Sequence, residues 1–219
     1  MIKYSFIIPV YGQFVDRNLE HCIKFLANQT FKDYEIIVCG NQIIDDSIIY
    51  LNGIKITNLV INTNRIGKLM NEGIKIAEGE FIHVWQMDLI TYPDYLEELN
   101  NYINKYGSDK LYAGKLIMMN TLDTRKHLNN FKDFYFSSSD QPEGMCCIHK
   151  QYFESFREEF EGSATHWCQE FLFRLWKKMR FICMQNVDVV HLPHNQRMSY
   201  EQSVIDSQKS SMLFREMVK

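Results

Sequence analysis

The feature that most constrains this chain is the regular alternation, through its first hundred residues, of short apolar runs with segments of helical period. Residues 4–10, 34–39, 54–61 and 80–85 read as four buried strands. Between the first two, residues 16–28 place Leu19, Cys22, Ile23 and Leu26 on one face at helical spacing. Between the last two, residues 68–78 read as a helix that Gly79 is predicted to end. Pro93 is predicted in the first turn of a further helix whose apolar stripe is Leu96, Leu99, Tyr102 and Ile103. Strands that alternate with helices imply an α/β fold, a three-layer sandwich with a mostly parallel central sheet. Ligands of such sheets sit beyond the carboxyl ends of the strands, which singles out residues 9–13, 40–46 and 86–88.

The second half is less regular. Residues 111–118 read as a strand, 120–142 as a long polar loop, 145–149 as a short strand and 151–156 as a short helix. A clear helix is expected over 167–179, a strand over 181–190, and a weakly amphipathic helix over 200–218. At 219 residues the chain suits one domain: a ligand-binding half (1–90), a second half (91–195) and a C-terminal helix (196–219).

A net charge of −3 argues against a general polyanion binder, so nucleic acid is not an expected partner. The six cysteines form no CxxC pair, and their spacing suggests neither a zinc site nor a disulfide framework. Reduced, mostly buried thiols in a cytoplasmic protein are the expectation. The apolar run at residues 6–11 carries Pro9 and lacks a small-residue cleavage site, so it reads as a strand and not a leader. No stretch reaches the roughly 18 apolar residues of a membrane span, which leaves at most peripheral membrane contact.

Six short motifs in order then resemble the family 2 glycosyltransferases of GT-A fold. They are Phe6-Ile-Ile-Pro-Val-Tyr11; Gln29-Thr30-Phe31 before Tyr34-Glu-Ile-Ile-Val38; and Asn64-Arg-Ile-Gly67 with Asn71-Glu-Gly73 and Gly79-Glu-Phe-Ile82. Gly144 to Lys150, Glu170 to Leu175 and Val187 to His191 complete the series. The resemblance implies an inverting transfer of a sugar from a nucleotide-sugar to an acceptor hydroxyl, in surface-glycan or polysaccharide synthesis. It favours a UDP-sugar donor and a glycan or lipid-linked glycan acceptor.

The resemblance also implies roles for individual residues. Asp88 stands at the second position of the family's Asp-x-Asp, whose carboxylates hold a divalent cation on the donor diphosphate. Gln86 replaces the first acid, and with Met87 it joins the donor-binding set. His191 ends the closing strand where the family often places a metal-binding histidine, with His194 in reserve. A carboxylate paired with an imidazole favours Mn²⁺ over Mg²⁺. Glu170 is the candidate general base, since an inverting transfer needs a group to take the acceptor's proton. Its partner acid is absent, because the stretch reads Cys168-Gln-Glu170. Pro9, Val10 and Tyr11 flank the nucleotide base, and Asn41 offers a donor and an acceptor to it. Asn64, Arg65 and Lys68 lie at a helix start suited to a diphosphate, while His166 and Trp167 form a candidate acceptor platform.

Each residue has a plainer reading: a strand-end Asp that caps a turn, a structural His, a first-turn Glu set against the helix dipole. The departures at positions 86, 168 and 39–43 also suit a nucleotide-sugar-binding protein of this fold without turnover. A nucleotidyltransferase would want a Gly-rich, basic first loop, and Tyr11-Gly-Gln-Phe14 has no basic residue. Oligomeric state is not written in the sequence.

Overall fold

The computed structural model describes residues 2–10, 17–41, 53–63, 65–119, 136–139, 145–159 and 166–192. Its first half follows the expected alternation. Strand β1 (Tyr4–Val10) leads to helix α1 (Arg17–Ala27) and strand β2 (Tyr34–Gly40). Strand β3 (Lys55–Val60), helix α2 (Ile66–Ile76) and strand β4 (Phe81–Val84) follow. Strands β1 and β2 are buried at every position, because helices cover both faces of the sheet there. Pro9 is tolerated in this central strand for a local reason. Ile7, two residues before it, accepts from Trp85 N at 3.1 Å on the β4 side, and β1–β4 pairing stops at Ile7. The missing N–H of Pro9 faces that side, past the last ladder pair.

The sheet departs from the expectation of mostly parallel strands. Further along come β5 (Leu89–Thr91), α3 (Tyr95–Tyr106), β6 (Leu111–Met119), β7 (Phe136–Ser139) and β8 (Cys146–His149). Helix α4 (His166–Trp176) and strand β9 (Phe181–His191) close the described chain. Among the described residues the strand order is β3-β2-β1-β4-β8-β6-β9-β5, with β7 also paired to β6. The β1–β2, β2–β3, β1–β4 and β6–β9 pairs are parallel; β4–β8, β6–β8, β6–β7 and β5–β9 are antiparallel. The sheet is therefore mixed. The four residues between β4 and β5 contain no crossover helix, and β5 runs back antiparallel to β4's direction.

Other expectations change in detail. Gly79 does not end α2; Ala77 does, with its N–H bonded to Ile74 O at 3.3 Å. Gly79 is needed for closeness instead, since a Cβ there would stand 2.6 Å from Ser5 Oγ and 2.7 Å from Ser5 N. Pro93 precedes α3 rather than opening its first turn. The helix expected over 151–156 shrinks to a 3-10 turn at Lys150–Tyr152. Its continuation is extended because Asn71 takes both backbone groups of Phe156: Phe156 N donates to Asn71 Oδ1 at 2.8 Å, and Asn71 Nδ2 donates to Phe156 O at 2.9 Å. Part of the expected 120–142 loop is strand β7, and β5 was too short to stand out as a strand. The helix expected over 200–218 lies outside the described residues.

The Gln29-Thr30-Phe31 motif proves to be a tertiary helix cap. Gln29 is fully buried; its Nε2 donates to Tyr92 O at 2.7 Å and its Oε1 accepts from Leu96 N at 3.1 Å. Asp94, at the N-cap position of α3, makes no side-chain cap bond, so Gln29 supplies it from α1's end.

An aromatic cluster of Phe6, His83, Trp85 and Tyr95 fills the core beneath the carboxyl ends of β1 and β4. His83 stacks on Phe6 at 4.7 Å with planes 13° apart. Its Nδ1 faces Val84 O at 3.3 Å, and Nε2 accepts from Tyr95 Oη at 2.5 Å. Burial, the largest effect, pushes the imidazole down to about 3. The described cysteines are free thiols, five buried and Cys183 half-buried. Among the described residues no helix is long and apolar enough to cross a membrane.

Two outcomes follow. The unfolded chain binds a proton at His83 below about pH 6.5 while the folded protein does not until about pH 3. Folding stability should therefore fall with acidification through that window, by about 1.4 kcal/mol per pH unit from this site. Urea titrations at pH 7, 6 and 5 should show that decline flattened in His83→Gln. Separately, Gln29→Ala should cost about 1–3 kcal/mol by leaving the Leu96 N–H unpaired, read as a lowered urea midpoint with an unchanged slope.

Candidate active site

The carboxyl ends of β1, β2 and β4 meet at one mouth of the sheet, and the residues expected to bind donor divide between that mouth and its surroundings. Pro9 and Val10 are buried at the end of β1, beside the half-buried Asn41 that follows β2. Arg65 is exposed and Lys68 half-buried, both at the start of α2. Gln86 is half-buried, whereas Met87 is only 2% exposed and packs in the core with Trp85 and Leu89. The Met87 side chain is thus turned into the core, which leaves its backbone for the expected donor-binding role. Tyr11, Asn64 and His194 lie outside the described residues, and of His166 and Trp167 only their place at the start of α4 is described.

Three carbonyls fix the turn that carries Asp88. Leu89 N donates to Gln86 O at 3.2 Å, and Cys22 Sγ reaches the same oxygen at 3.7 Å from α1. The Trp85 indole donates to Leu89 O at 3.1 Å. Leu192 N donates to Asp88 O at 2.7 Å, which ties the turn to the end of β9. Burial first, and then the Asp88 charge, pushes the Cys22 thiol up, so it sits there as a neutral donor.

The same tie brings Asp88 and His191 together. The antiparallel pairing of β5 with β9 sets Leu89 opposite His191, Ile90 opposite Val190 and Thr91 opposite Val189. Asp88, one residue outside that ladder, then has its Oδ2 3.6 Å from His191 Nε2, with the carboxylate side chain 5% and the imidazole 16% exposed. Residues 103 apart in sequence thus form a carboxylate–imidazole pair beside the mouth. A carboxylate oxygen with a neutral imidazole nitrogen is a donor set that suits a divalent cation such as Mn²⁺. Among the described residues no group of three His, Cys, Asp or Glu converges on one point. A cation here would take two protein ligands and complete its shell from elsewhere, as magnesium-type ions do with substrate phosphates.

Glu170 occupies a different kind of place from an open base. It is 2% exposed on α4, and its carboxylate accepts three guanidinium N–H bonds. Arg157 Nε donates to Oε1 at 3.1 Å, Arg174 Nε to Oε1 at 2.6 Å and Arg174 Nη2 to Oε2 at 3.1 Å. Arg174 also bonds Glu154 Oε2 at 2.9 Å and Ser155 O at 2.9 Å. Lys178 first, with Arg174 adding to it, holds the Glu154 carboxyl below the usual range. The first turn of α4 carries no acid. Sequence reasoning missed Arg157, Arg174 and the anchoring role of Asn71. Arg174 lies four residues after Glu170, a helical ion-pair spacing that could have been read; Arg157 left no such signal.

Residues 5–153, more than half of the chain, match the family described as glycosyl transferase family 2. The chain belongs to that family. Among curated relatives of this family 2 chain, a poly(ribitol-phosphate) beta-glucosyltransferase of Bacillus spizizenii is 34% identical over 90 residues, which are 37% of this chain and 14% of that protein. The poly(ribitol-phosphate) beta-N-acetylglucosaminyltransferase TarS of Staphylococcus aureus is 28% identical over 120 residues, 51% of this chain and 20% of that one. The family 2 chain thus spans a fifth or less of the length of these two relatives. In three dimensions it aligns with the crystal structure of S. aureus TarS 1-349 at a TM-score of 0.71 and 18% identity, over 99% of this chain and 65% of that one. The same TarS fragment in complex with UDP-GlcNAc aligns at 0.68 and 19% identity, over 99% and 66%. At such identity the likeness establishes the GT-A fold.

If Glu170 is a buried counter-ion, Glu170→Ala should lower stability by about 2 kcal/mol, a value below that of a fully buried pair because Arg157 and Arg174 are partly exposed. Thermal melts should show Arg157→Ala to be milder.

Proposed function

We propose that this family 2 chain transfers a sugar from a metal-held UDP-sugar to an acceptor hydroxyl with inversion, in the synthesis of a surface glycan. The observation that carries the reading is the Asp88–His191 pair beside the carboxyl ends of the parallel strands. The UDP-GlcNAc complex of the TarS fragment supports the donor class, and the polymer-modifying names of the relatives support an acceptor that is a polymer, without fixing its charge. A bound divalent cation would neutralise charge that develops on the departing diphosphate. Asp88 and His191 would hold it, Pro9, Val10 and Asn41 would border the nucleotide, and Gln86 would orient donor hydroxyls. Arg65 and Lys68 stand at the start of α2, where backbone N–H groups favour a diphosphate. Glu170 would take the acceptor's proton only after a guanidinium releases one of its oxygens, since three N–H bonds now fill most of its accepting sites.

That last geometry favours a second reading, a nucleotide-sugar-binding protein without turnover, because no acid stands in the first turn of α4. One assay separates the two. Purified protein is given Mn²⁺ and a panel of UDP-, GDP- and dTDP-sugars, with and without polyol-phosphate and oligosaccharide acceptors, and nucleotide release is followed. The transferase reading expects Mn²⁺-dependent UDP release that falls at least 100-fold in Asp88→Asn. Donor binding by calorimetry with no release under any condition would move the conclusion to binding alone. No binding of any nucleotide-sugar would sink both readings. A Glu170→Gln variant that stays folded and keeps its release would remove Glu170 from the chemistry.

A further inference from the structure

The mouth of the parallel strands is not the only concave surface. A cleft of about 400 Å³ opens on the other side of β5, between the start of α3 and the middle of β9. One wall is Tyr92, Pro93, Asp94 and Glu98; the other is Asn186 and Asp188.

The second wall is made by an irregularity in β9. Gly114 pairs with Met184, but the next residue, Lys115, pairs with Asp188, so residues 185–187 bulge from the ladder. Gly114 is what lets the bulge close over β6: a Cβ there would stand 2.8 Å from Val187 O and 2.8 Å from Val189 Cγ2. Bulges of this kind re-aim side chains and occur preferentially beside functional sites. Here the bulge turns Asn186 outward, where it is exposed, and Thr91 Oγ1 pins the far side by donating to Asp188 O at 3.0 Å.

The chemistry of the cleft is distinct from that of a donor site. Tyr92 is 40% exposed, so a large aromatic surface faces solvent next to Pro93. Asp94, Glu98 and Asp188 line the same cleft as Tyr92, and burial first, then the charges of Asp188 and Asp94, pushes the Tyr92 hydroxyl up. No lysine or arginine is among the described residues that line the cleft. Three carboxylates without a cation disfavour a phosphorylated ligand. A flat ring beside several hydrogen-bond acceptors and one amide suits a sugar instead, whose C–H face packs on the ring while its hydroxyls donate to carboxylates.

We infer that this cleft is a second glycan-binding site, which holds an uncharged stretch of the acceptor chain away from the transfer centre. Its assignment to the acceptor rests on the transferase reading above. Thr91, on its wall, lies three residues from Asp88 along β5, about 10 Å of extended strand. Leu89, Ile90 and Thr91 are themselves buried, so a glycan of a few residues seated on Tyr92 would cross the surface, and not follow the strand, to bring its end near Asp88.

The test uses N-acetylchitotetraose, cellotetraose and maltotetraose as probes, with saturation-transfer NMR to detect binding and titration to give the dissociation constant. At least one tetrasaccharide should bind the wild-type protein, at least tenfold more weakly in Tyr92→Ala and in Asp188→Asn, and unchanged in Asp88→Asn. UDP with Mn²⁺, titrated into the same proteins, should show the reverse: unchanged in Tyr92→Ala and Asp188→Asn, weakened in Asp88→Asn. Binding by none of the three sugars overturns the inference, as does sugar binding that survives both cleft variants. Because UDP binding is measured independently, a failure at the cleft is distinguishable from a failure of the donor-site reading. Circular dichroism establishes that Tyr92→Ala is folded, and the isosteric Asp188→Asn stands alone if it is not.

Discussion

The arrangement of this family 2 chain depends on one short register. Three residue pairs between β5 and β9 set Leu89 against His191, and everything chemical near Asp88 follows from that pairing. The strand is too short to hold its register by its own ladder. It is held at one end by Leu192 N on Asp88 O and at the other by Thr91 Oγ1 on Asp188 O. The Trp85 indole and Cys22 thiol fix the intervening turn from below. A slip of one residue would turn the side chains of β5 to the opposite face and separate Asp88 from His191.

A second network holds the other wall of the domain. Asn71 on α2 captures the backbone of Phe156, Phe156 stacks on Phe171 of α4 with ring centres 4.1 Å apart, and Arg157 bonds Glu170. Helix α2, which opens toward the mouth with Arg65 and Lys68, is thereby joined to α4 through an extended segment instead of a helix. The motif Asn71-Glu-Gly73 and the acid of Glu170-Phe-Leu-Phe-Arg thus have a packing account that needs no ligand. Asp88 and His191, by contrast, are held together beside the mouth by the β5–β9 register.

Much of the architecture was legible because local physics points one way in those segments. A run such as Tyr4–Val10 is apolar at nearly every position, which in a chain of this kind only a strand covered on both faces satisfies. The amphipathic spacing of Leu19, Cys22, Ile23 and Leu26 is equally unambiguous. Legibility failed where long-range partners override local preference. Residues 153–157 have helix-compatible composition, yet Asn71 supplies the backbone bonds that a helix would have supplied. Gly79 looks like a helix terminator and is in fact a contact point with Ser5, 74 residues away. The antiparallel strands β5 and β7 exist only through their neighbours, since neither three apolar-to-polar residues nor a serine run declares a strand alone.

The sequence by itself determined the alternation of elements, the buried cores of β1, β2, α1 and α2, and membership signals strong enough to single out Asp88, His191 and Glu170. The elements and their cores rest on periodicity and residue type, which are local, whereas the three candidate residues rest on the resemblance of ordered motifs to the family. Only the tertiary structure decided that the sheet is mixed, that Asp88 meets His191, that Met87 turns inward and that Glu170 lies under two arginines. Each of those outcomes is a contact between segments distant in sequence. Such contacts are set by register, bulge and helix docking, whose energies belong to the assembled fold and to no single stretch of chain.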